Sequence, residues 1–314
     1  MPSWGEILQE IQHQVETTGN PPDIDGIRRR YLKQLHEHTG RSVIVYAADM
    51  FGMAGPMASI NLQDMVGMME VFRDLPGPDL DLILTSSGGQ AEATDRIVRY
   101  LRTKFTNVRV IVPLAAMSAA TMWSMAADEI VLGKHSQLGP IDPQITLPNT
   151  GVPMPAGALT EQFREAQREC AQDPSKITGW LPTLQQYPPG LLNFCESATE
   201  LSKQLVAEWL ETYMFADEAD PGTHAQEVSA WLADDKTHLS HSRAITRENL
   251  TSRGVKVVKL EDDETLQDLV LSVHHATQHT FGGSAVKLIE NHLGRAFVQH
   301  GGQFMAMPQQ VPQA

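Results

Sequence analysis

Basic residues are scarce in this sequence. Its 314 residues include 24 lysines and arginines against 38 aspartates and glutamates, which gives a formal net charge of −14 at pH 7. Non-specific binding to nucleic acid or to an anionic membrane surface requires a basic patch. The composition therefore favours a freely diffusing protein whose partners include neither nucleic acid nor a membrane.

Cysteines and long apolar runs are also few. Cys170 and Cys195 are the only cysteines, and their spacing fits no metal site, so we interpret them as reduced thiols in a cytoplasm. No segment approaches the roughly 18 consecutive apolar residues of a membrane helix. The first residues carry neither the basic head nor the apolar run of a signal peptide. The sequence predicts a cytoplasmic protein.

Short apolar strands alternate with helical patterns along the first half of the chain. The alternation repeats about every 30 residues, which is typical of right-handed βαβ units and a mostly parallel sheet. We predict an α/β fold in which a Pro-rich loop over 143–160 precedes a largely helical region over 158–235. The predicted parts are an N-terminal helical arm over 1–40, a core over 41–272, and a C-terminal helical extension with a flexible tail over 273–314.

Two turns follow consecutive predicted strands, which is where open α/β sheets place their sites. The glycine corner, residues 86–89, reads SSGG, and its glycines would let successive backbone N–H groups point outward. The serine corner, residues 115–119, reads AAMSA and places Ser118 between a strand and a helix. A serine held there is exposed at the sheet edge, and its small neighbours leave room for an extended substrate.

Each corner also has an ordinary structural interpretation. Ser118 could be the N-cap of a helix in a tightly packed layer, since serine is a preferred capping residue. A glycine pair after a strand is more often a plain turn than an anion cradle. The glycine corner lacks the GK[ST] ending of a P-loop and the third glycine of a dinucleotide fingerprint, so we exclude nucleotide binding there.

The combination of the two corners resembles a known family. The segments DLILTSSGGQAEATDRIVRYLR and AAMSAATMWSMAADEIVLGKHSQLGPIDPQI are similar in order and spacing to the Clp-protease/crotonase fold. Within that fold the match is to the serine dehydrogenase proteinase (SDH) family, relatives of signal peptide peptidase A. PSWGEILQEIQ near the start and HSRAITRENLTSRGVKV near the end fit the same family. The resemblance implies stacked βαβ units over most of residues 1–300.

The resemblance also implies a chemistry. It makes Ser118 the nucleophile of a serine peptidase, and it makes the backbone N–H groups of Gly89, Gly88 and Ala119 the oxyanion hole. Substrate would pair with the sheet edge near the glycine corner, as in strand addition. Ser87 and Met117 are then expected to contact the substrate.

The family further implies a homo-oligomer acting on a peptide or protein, with no cofactor or metal. Two other functions stay open on the sequence alone. One is a catalytically inert scaffold that binds peptides, and the other is a crotonase-type acyl-CoA enzyme.

The general base does not follow from the resemblance. Clp proteases use a histidine followed by an aspartate, and these positions fall near Ile141 or Asp142 and near Ser242, none of which matches. Relatives of signal peptide peptidase A use a lysine, expected within residues 158–162, where there is none. We favour His241, which adjoins the position of the Clp aspartate, over His135. The local candidates for this role are His135, Lys134, Asp142, Glu161 and His241.

Two further patterns carry weaker functional hypotheses. His275 and His279 are four residues apart on one predicted helix, as in a metal pair, but no third ligand is evident. A methionine-rich stretch could line a pliable groove for apolar side chains or simply fill the core. Its members are Met50, Met53, Met57, Met65, Met68 and Met69.

Overall fold

A seven-stranded sheet forms the centre of the protein. The computed structural model describes residues 2–52, 55–147 and 151–301. The sheet order is β11-β10-β1-β2-β3-β5-β9, and the remaining strands form two small two-stranded pairs, β4 with β6 and β7 with β8. The strands are β1 Ser42–Ala48, β2 Asp79–Thr85, β3 Asn107–Val112, β4 Ala115–Ala116, β5 Glu129–Leu132, β6 Gln137–Leu138, β7 Gln144–Thr146, β8 Pro153–Pro155, β9 Val257–Lys259, β10 Ala285–Asn291 and β11 Ala296–His300.

The predicted α/β architecture with a mostly parallel sheet is confirmed. The strands β1, β2, β3, β5 and β9 run parallel, whereas β10 and β11 are antiparallel to their neighbours. The helices are α1 Trp4–Thr18, α2 Ile24–Thr39, α3 Asp64–Phe72, α4 Ala91–Arg102, α5 Ala119–Met125, α6 Ala156–Gln172, α7 Ile177–Leu184, α8 Leu191–Trp209, α9 Pro221–Leu232, α10 Asp235–His238, α11 Arg247–Thr251 and α12 Glu264–Phe281.

Each face of the sheet has its own core. Alternate residues of a strand point to opposite faces, and every residue of β1 is buried because both faces are covered. Ile44 and Tyr46 pack in the larger core, which includes residues of α3, α4, α5, α8 and α9. Val43 and Val45 pack on the other face with residues of α2 and α12. The N-terminal helix α2 therefore shares a core with the sheet.

The end of the chain departs from the predicted helical extension. The helix α12 is present, but after Phe281 the chain returns to the sheet as the hairpin β10–β11 beside β1. The sequence does not indicate β10 as a buried strand because it contains the charged residues Lys287 and Glu290. Both are buried in the structure, where they pair with other charged groups. The predicted flexible tail lies outside the described residues from 302 onward, and the domain boundaries remain a prediction.

Three smaller features concern the Pro-rich loop, the cysteines and the helices. Part of the predicted Pro-rich loop forms the short antiparallel pair β7–β8. Cys170 and Cys195 are free thiols. Across the described residues, no helix is long and apolar enough to cross a membrane.

Candidate active site

The glycine and serine corners are in direct contact. They follow β2 and β3, which are parallel neighbours, so both corners lie at the same edge of the sheet. Two backbone hydrogen bonds join them, from Ser86 N–H to the Ala115 carbonyl at 3.1 Å and from Met117 N–H to the Ser86 carbonyl at 2.9 Å. The sheet therefore fixes the position of Ser118 relative to the glycine pair.

Only glycine fits at both positions of the glycine corner. A Cβ on Gly88 would lie 2.6 Å from the Met117 carbonyl oxygen and 2.8 Å from Ser118 Cβ. Its φ of 102° also lies in a region that favours glycine. A Cβ on Gly89 would lie 2.3 Å from the carbonyl oxygen of Ile60. The two glycines therefore allow the corner to pack between Ile60 and the serine corner.

The backbone N–H of Gly89 faces away from Ile60. Ile60 N–H donates to the Gly88 carbonyl at 2.8 Å, and Gln90 N–H donates to the Ile60 carbonyl at 2.9 Å. Because successive residues of an extended chain point to opposite sides, the N–H of Gly89 points the other way. Neither Gly89 N–H nor Ala119 N–H has an acceptor among the described residues. The two donors are free to hold an oxyanion.

Gly88 N–H is not available in the same way. It donates to the side-chain oxygen of Ser86 at 3.0 Å, inside the glycine corner. The structure thus separates the three expected oxyanion donors into two free N–H groups and one that is already bonded. The Ser86 hydroxyl, which the sequence did not single out, holds the turn in shape.

Ser118 has a strained backbone. Its φ of 53° and ψ of −120° are unusual for a residue with a side chain, and strain of this kind concentrates at functional sites. Ser118 stands at the N-cap position of α5, but its side chain makes no capping hydrogen bond. The capping interpretation therefore gains no support from the hydroxyl.

The small residues around Ser118 have a packing reason. All seven residues of α5 are buried, because this short helix runs through the larger core. Alanines at 119 and 120 let the helix start directly under the two corners. The Thr121 hydroxyl donates to the Ala116 carbonyl at 2.8 Å and accepts from Gly139 N–H at 3.0 Å. This packing fixes the strand-to-helix turn that carries Ser118.

His241 and Asp142 form a hydrogen-bonded pair. His241 Nδ1 lies 2.7 Å from Asp142 Oδ1, although the two residues are 99 positions apart in the chain. Asp142 is buried, and its other oxygen accepts from Gln144 Nε2 at 2.6 Å. Because a carboxylate only accepts hydrogen bonds, the imidazole proton belongs on Nδ1, and Nε2 is left as an acceptor.

Backbone pairing brings this histidine to the site. Leu138 and Ile245 exchange two hydrogen bonds of 3.0 and 2.9 Å, so the segment before Asp142 is paired with the segment after His241. Arg243 donates to the carbonyls of Thr237 and His238, each at 3.3 Å, and holds the loop between them. The loop that carries His241 is therefore anchored on both sides.

A cavity of about 470 Å³ opens beside the two corners. Ser118 and His241 both line it, as do Gly89 and Ala119. The rest of its lining is mostly small, amide or apolar. The other lining residues are Gln90, Ala91, Glu92, Met122, Ile141, Pro143, Gln144, Phe194, Ser197, Ala198, Leu201 and Ser202.

The other base candidates lie elsewhere. His135 is exposed and lies near His274 and His275 of α12, a helix on the opposite face of the sheet from Ser118. The backbone N–H of Lys134 donates to Glu261. Glu161 forms ion pairs with Arg168 and Lys236 on α6 and α10. None of His135, Lys134 and Glu161 lines the cavity beside Ser118.

Neither of the two expected substrate contacts, Ser87 and Met117, lines this cavity. Ser87 is exposed and does not line the cavity. The Met117 side chain packs against Gly139, where an added Cβ would lie 2.4 Å from Met117 Cε. The residues that the cavity offers in their place, Met122 and those of α8, carry no motif that the sequence alone would identify.

The histidine pair and the methionine stretch do not join the site. His279 Nε2 lies 3.1 Å from the Trp4 carbonyl, and its ring is 4.4 Å from the Trp4 ring, so it docks α1. Among the described residues, no group of three or more potential ligands could hold a metal ion. Met53 lies outside the described residues, and none of the other five methionines lines the cavity.

Half of the chain, in round terms, matches a known protein family. Residues 24–179, which include both corners and Asp142, match the model of the ClpP-like SDH-type serine proteinases. Through this segment the chain belongs to that family. His241 and α8 lie beyond the matched segment of the chain. No solved structure matches the chain.

Two proteins similar to this chain are uncharacterized proteins of Methanocaldococcus jannaschii. One is 28% identical over 200 residues, covering 59% of this chain and 68% of the relative. The other is 31% identical over 126 residues, covering 38% of this chain and 42% of the relative. The chain thus spans less than half the length of the second relative. Neither name states an activity.

Proposed function

We propose that this chain is a serine peptidase in which Ser118, His241 and Asp142 act as one catalytic unit. The observation that carries the proposal is the hydrogen bond between His241 and buried Asp142 at the cavity that Ser118 also lines. The family match supports a serine peptidase at the level of the family. The strained backbone of Ser118 is a second, independent support.

In the proposed reaction, His241 Nε2 takes the proton from Ser118 Oγ as this oxygen attacks the carbonyl carbon of a peptide bond. The negative charge that develops on the carbonyl oxygen is held by the N–H groups of Gly89 and Ala119. His241 then gives its proton to the leaving amine, and an acyl group stays on Ser118. A water molecule, deprotonated by His241, hydrolyses the acyl-enzyme and restores the serine.

Asp142 keeps the imidazole in the correct tautomer and stabilises the imidazolium that forms. The chain order in this proposal is serine, aspartate, histidine, whereas in Clp proteases the histidine precedes the aspartate. The two positions are close to those that the resemblance assigns to the Clp pair, with the residue types exchanged. This exchange explains why neither Clp-type position held the expected residue.

The remaining expectations form part of the same proposal. The substrate is a peptide or protein, and the chain acts as a homo-oligomer in the cytoplasm, as the family resemblance implies. The reaction as written uses only side chains and backbone amides of this chain. Gln144 is a positioning residue, because it holds Asp142 and has no direct part in proton transfer.

A fluorophosphonate probe tests the proposal. We expect it to form a covalent adduct with the full-length protein, and we expect peptide mass spectrometry to place that adduct on Ser118. Ser118→Ala should abolish labelling, while Ser124→Ala, which changes a buried serine of the same helix, should not. Absence of labelling would favour the inert peptide-binding scaffold. Thioester hydrolysis that survives Ser118→Ala would favour the acyl-CoA enzyme.

A further inference from the structure

The helix α8 supplies one wall of the cavity beside Ser118. Phe194, Ala198 and Leu201 all line the cavity, and they are spaced by four and three residues. This spacing places them on one face of a helix. Phe194 is 59% exposed and belongs to none of the buried apolar clusters of the described residues.

The opposite side of the cavity is apolar as well. Met122, one helical turn after Ser118 on α5, and Ile141, next to Asp142, are both buried and line the cavity. The cavity volume of about 470 Å³ falls in the usual range of ligand sites, roughly 300–1,000 Å³. A large side chain therefore fits between α5 and α8.

Charge in this cavity is sparse and of one sign. Apart from His241, Glu92 is the one ionisable residue that lines it, and no lysine or arginine does so among the described residues. Glu92 is exposed near the start of α4 and has no ion-pair partner in the described part of the chain. An acidic side chain of a substrate would find no cation here and would meet the negative charge of Glu92.

We infer that α8 is the specificity element of this site, and that the cavity selects peptides with a large apolar side chain on the residue that supplies the scissile carbonyl. This inference rests on the proposed function for its reference to a scissile bond. The carbonyl carbon bonded to Ser118 Oγ is only two bonds from the Cβ of its own residue. That side chain is thus placed at the mouth of the cavity formed by Met122, Phe194 and Leu201.

Peptide binding to the Ser118→Ala variant tests the selection without requiring turnover. The peptides share a Gly/Ser background and differ at one position, which carries Leu, Phe, Ala, Lys or Asp. We expect Leu and Phe peptides to bind at least tenfold more tightly than the Ala peptide, since even one methylene in an apolar pocket gives roughly 10- to 200-fold discrimination. The Asp peptide should bind most weakly. Equal affinities, or tighter binding of the Asp or Lys peptide, would overturn the inference.

A second pair of variants tests the role of α8. Phe194→Glu, made in the Ser118→Ala background, should weaken the Leu and Phe peptides at least tenfold and improve the Lys peptide. Asn193→Glu introduces the same charge at the exposed neighbour, outside the cavity, and should change no affinity. If both variants have the same effect, α8 does not contact the selected side chain.

The probe experiment separates this inference from the proposed function. Labelling of Ser118 together with a flat peptide panel would overturn the inference and leave the peptidase standing. An apolar preference without labelling would support the selective cavity and contradict the peptidase.

Discussion

Two regions near the carboxyl ends of β1, β2 and β3 differ in whether their polar groups are paired. In the first, which we call the Lys287 network and which comprises Lys287, Asp64 and Tyr46, every charged group is paired. Lys287 Nζ donates to Asp64 Oδ1 at 2.6 Å and to the Ser59 carbonyl at 2.8 Å, and Tyr46 donates to the other Asp64 oxygen at 2.7 Å. All three side chains are buried.

The second region is the pair of corners around Ser118. Here a hydroxyl and the N–H groups of Gly89 and Ala119 have no partner among the described residues, and all three residues line a cavity. A polar group that is buried without a partner costs about 1–3 kcal/mol, whereas these groups line a cavity, where water or a ligand can reach them. Paired groups hold the fold, whereas the unpaired groups are available to a substrate.

Burial shifts the pKa values of Tyr46 and Lys287 in the Lys287 network in opposite directions. Burial raises the pKa of Tyr46 well above its usual value, and the negative charge of Asp64 raises this pKa further, so the phenol stays protonated. Burial lowers the pKa of Lys287, while contact with Asp64 opposes that shift. The network is structural even though its residue types could serve catalysis.

The largest expected effect is the loss of Asp142 from the corner region. Asp142→Asn should lower kcat/KM for a peptide about 10⁴-fold, because an amide no longer fixes the His241 tautomer. Asp235→Asn is the matched control. Burial and the nearby charge of Asp142 raise the pKa of Asp235, but Asp235 is not bonded to His241, so turnover should change little. Similar losses in both variants would contradict the assignment.

Breaking the Lys287 network should lower the stability of the fold and leave the reactivity of Ser118 unchanged. Lys287→Met should lower the free energy of unfolding by about 3–5 kcal/mol, because Asp64 is left buried and unpaired. Urea titration measures this change, and probe labelling per folded molecule should stay the same. The double variant Lys287→Met/Asp64→Asn should recover much of the stability, since no charge remains unpaired and Tyr46 keeps an acceptor. A loss of labelling at full folding would show that the two regions are coupled.

Gly88→Ala should push the two corners apart. The new methyl group would collide with Met117 and Ser118, and displacing the oxyanion donors should reduce kcat/KM by about 100- to 1,000-fold. Gly40 also has a positive φ, 68°, but has open space around it. Gly40→Ala should therefore cost some stability through backbone strain and leave kcat/KM unchanged. An active Gly88→Ala enzyme would argue against this role of the close contact.

The smallest expected effect is a loss of stability at acid pH that comes from two buried histidines. Burial lowers the pKa of His274 to about 3 and that of His292 to about 4, and neighbouring histidines add to both shifts. The unfolded chain takes up these protons near pH 6.5, so the stability is fully present above that pH and falls as the pH drops towards 3–4. Between pH 7 and 5.5 each histidine should cost about 1 kcal/mol.

Urea midpoints measured across this pH range check the prediction. His274→Gln should make the acid-side decline shallower, whereas His13→Gln, which changes an exposed histidine of α1, should leave the slope as it is. An unchanged slope in His274→Gln would mean that this histidine does not titrate between the folded and unfolded states.

Local patterns in the sequence predict the sheet and the two corners, but they do not predict which side chains complete the site. The run SVIVYAA identifies β1 because both of its faces are buried, and the order of the corners along the chain identifies the family segment. The pairing of His241 with Asp142 depends on the Leu138–Ile245 bridge, a contact between distant segments. The hydrophobic periodicity of a sequence does not indicate a bridge of this kind.

The hairpin β10–β11 and the cavity wall formed by α8 could not be predicted for the same reason, since both depend on contacts between distant segments. In β10 the charges of Lys287 and Glu290 are neutralised by Asp64, Arg28 and Arg29, which come from helices far away in the chain. Read alone, these charges interrupt an apolar strand. Phe194 and Leu201 look like any apolar residues of an amphipathic helix until α8 is placed across from α5.

The rate at which a fluorophosphonate labels Ser118 tests the catalytic unit most directly. It should be measured in the wild-type protein, in His241→Ala, in Asp142→Ala and in the double variant. We expect each single variant to slow labelling strongly, and we expect the double variant to be no slower than His241→Ala, because residues that act as one unit are non-additive. Labelling of His241→Ala at the wild-type rate would contradict the account, as would losses that simply multiply.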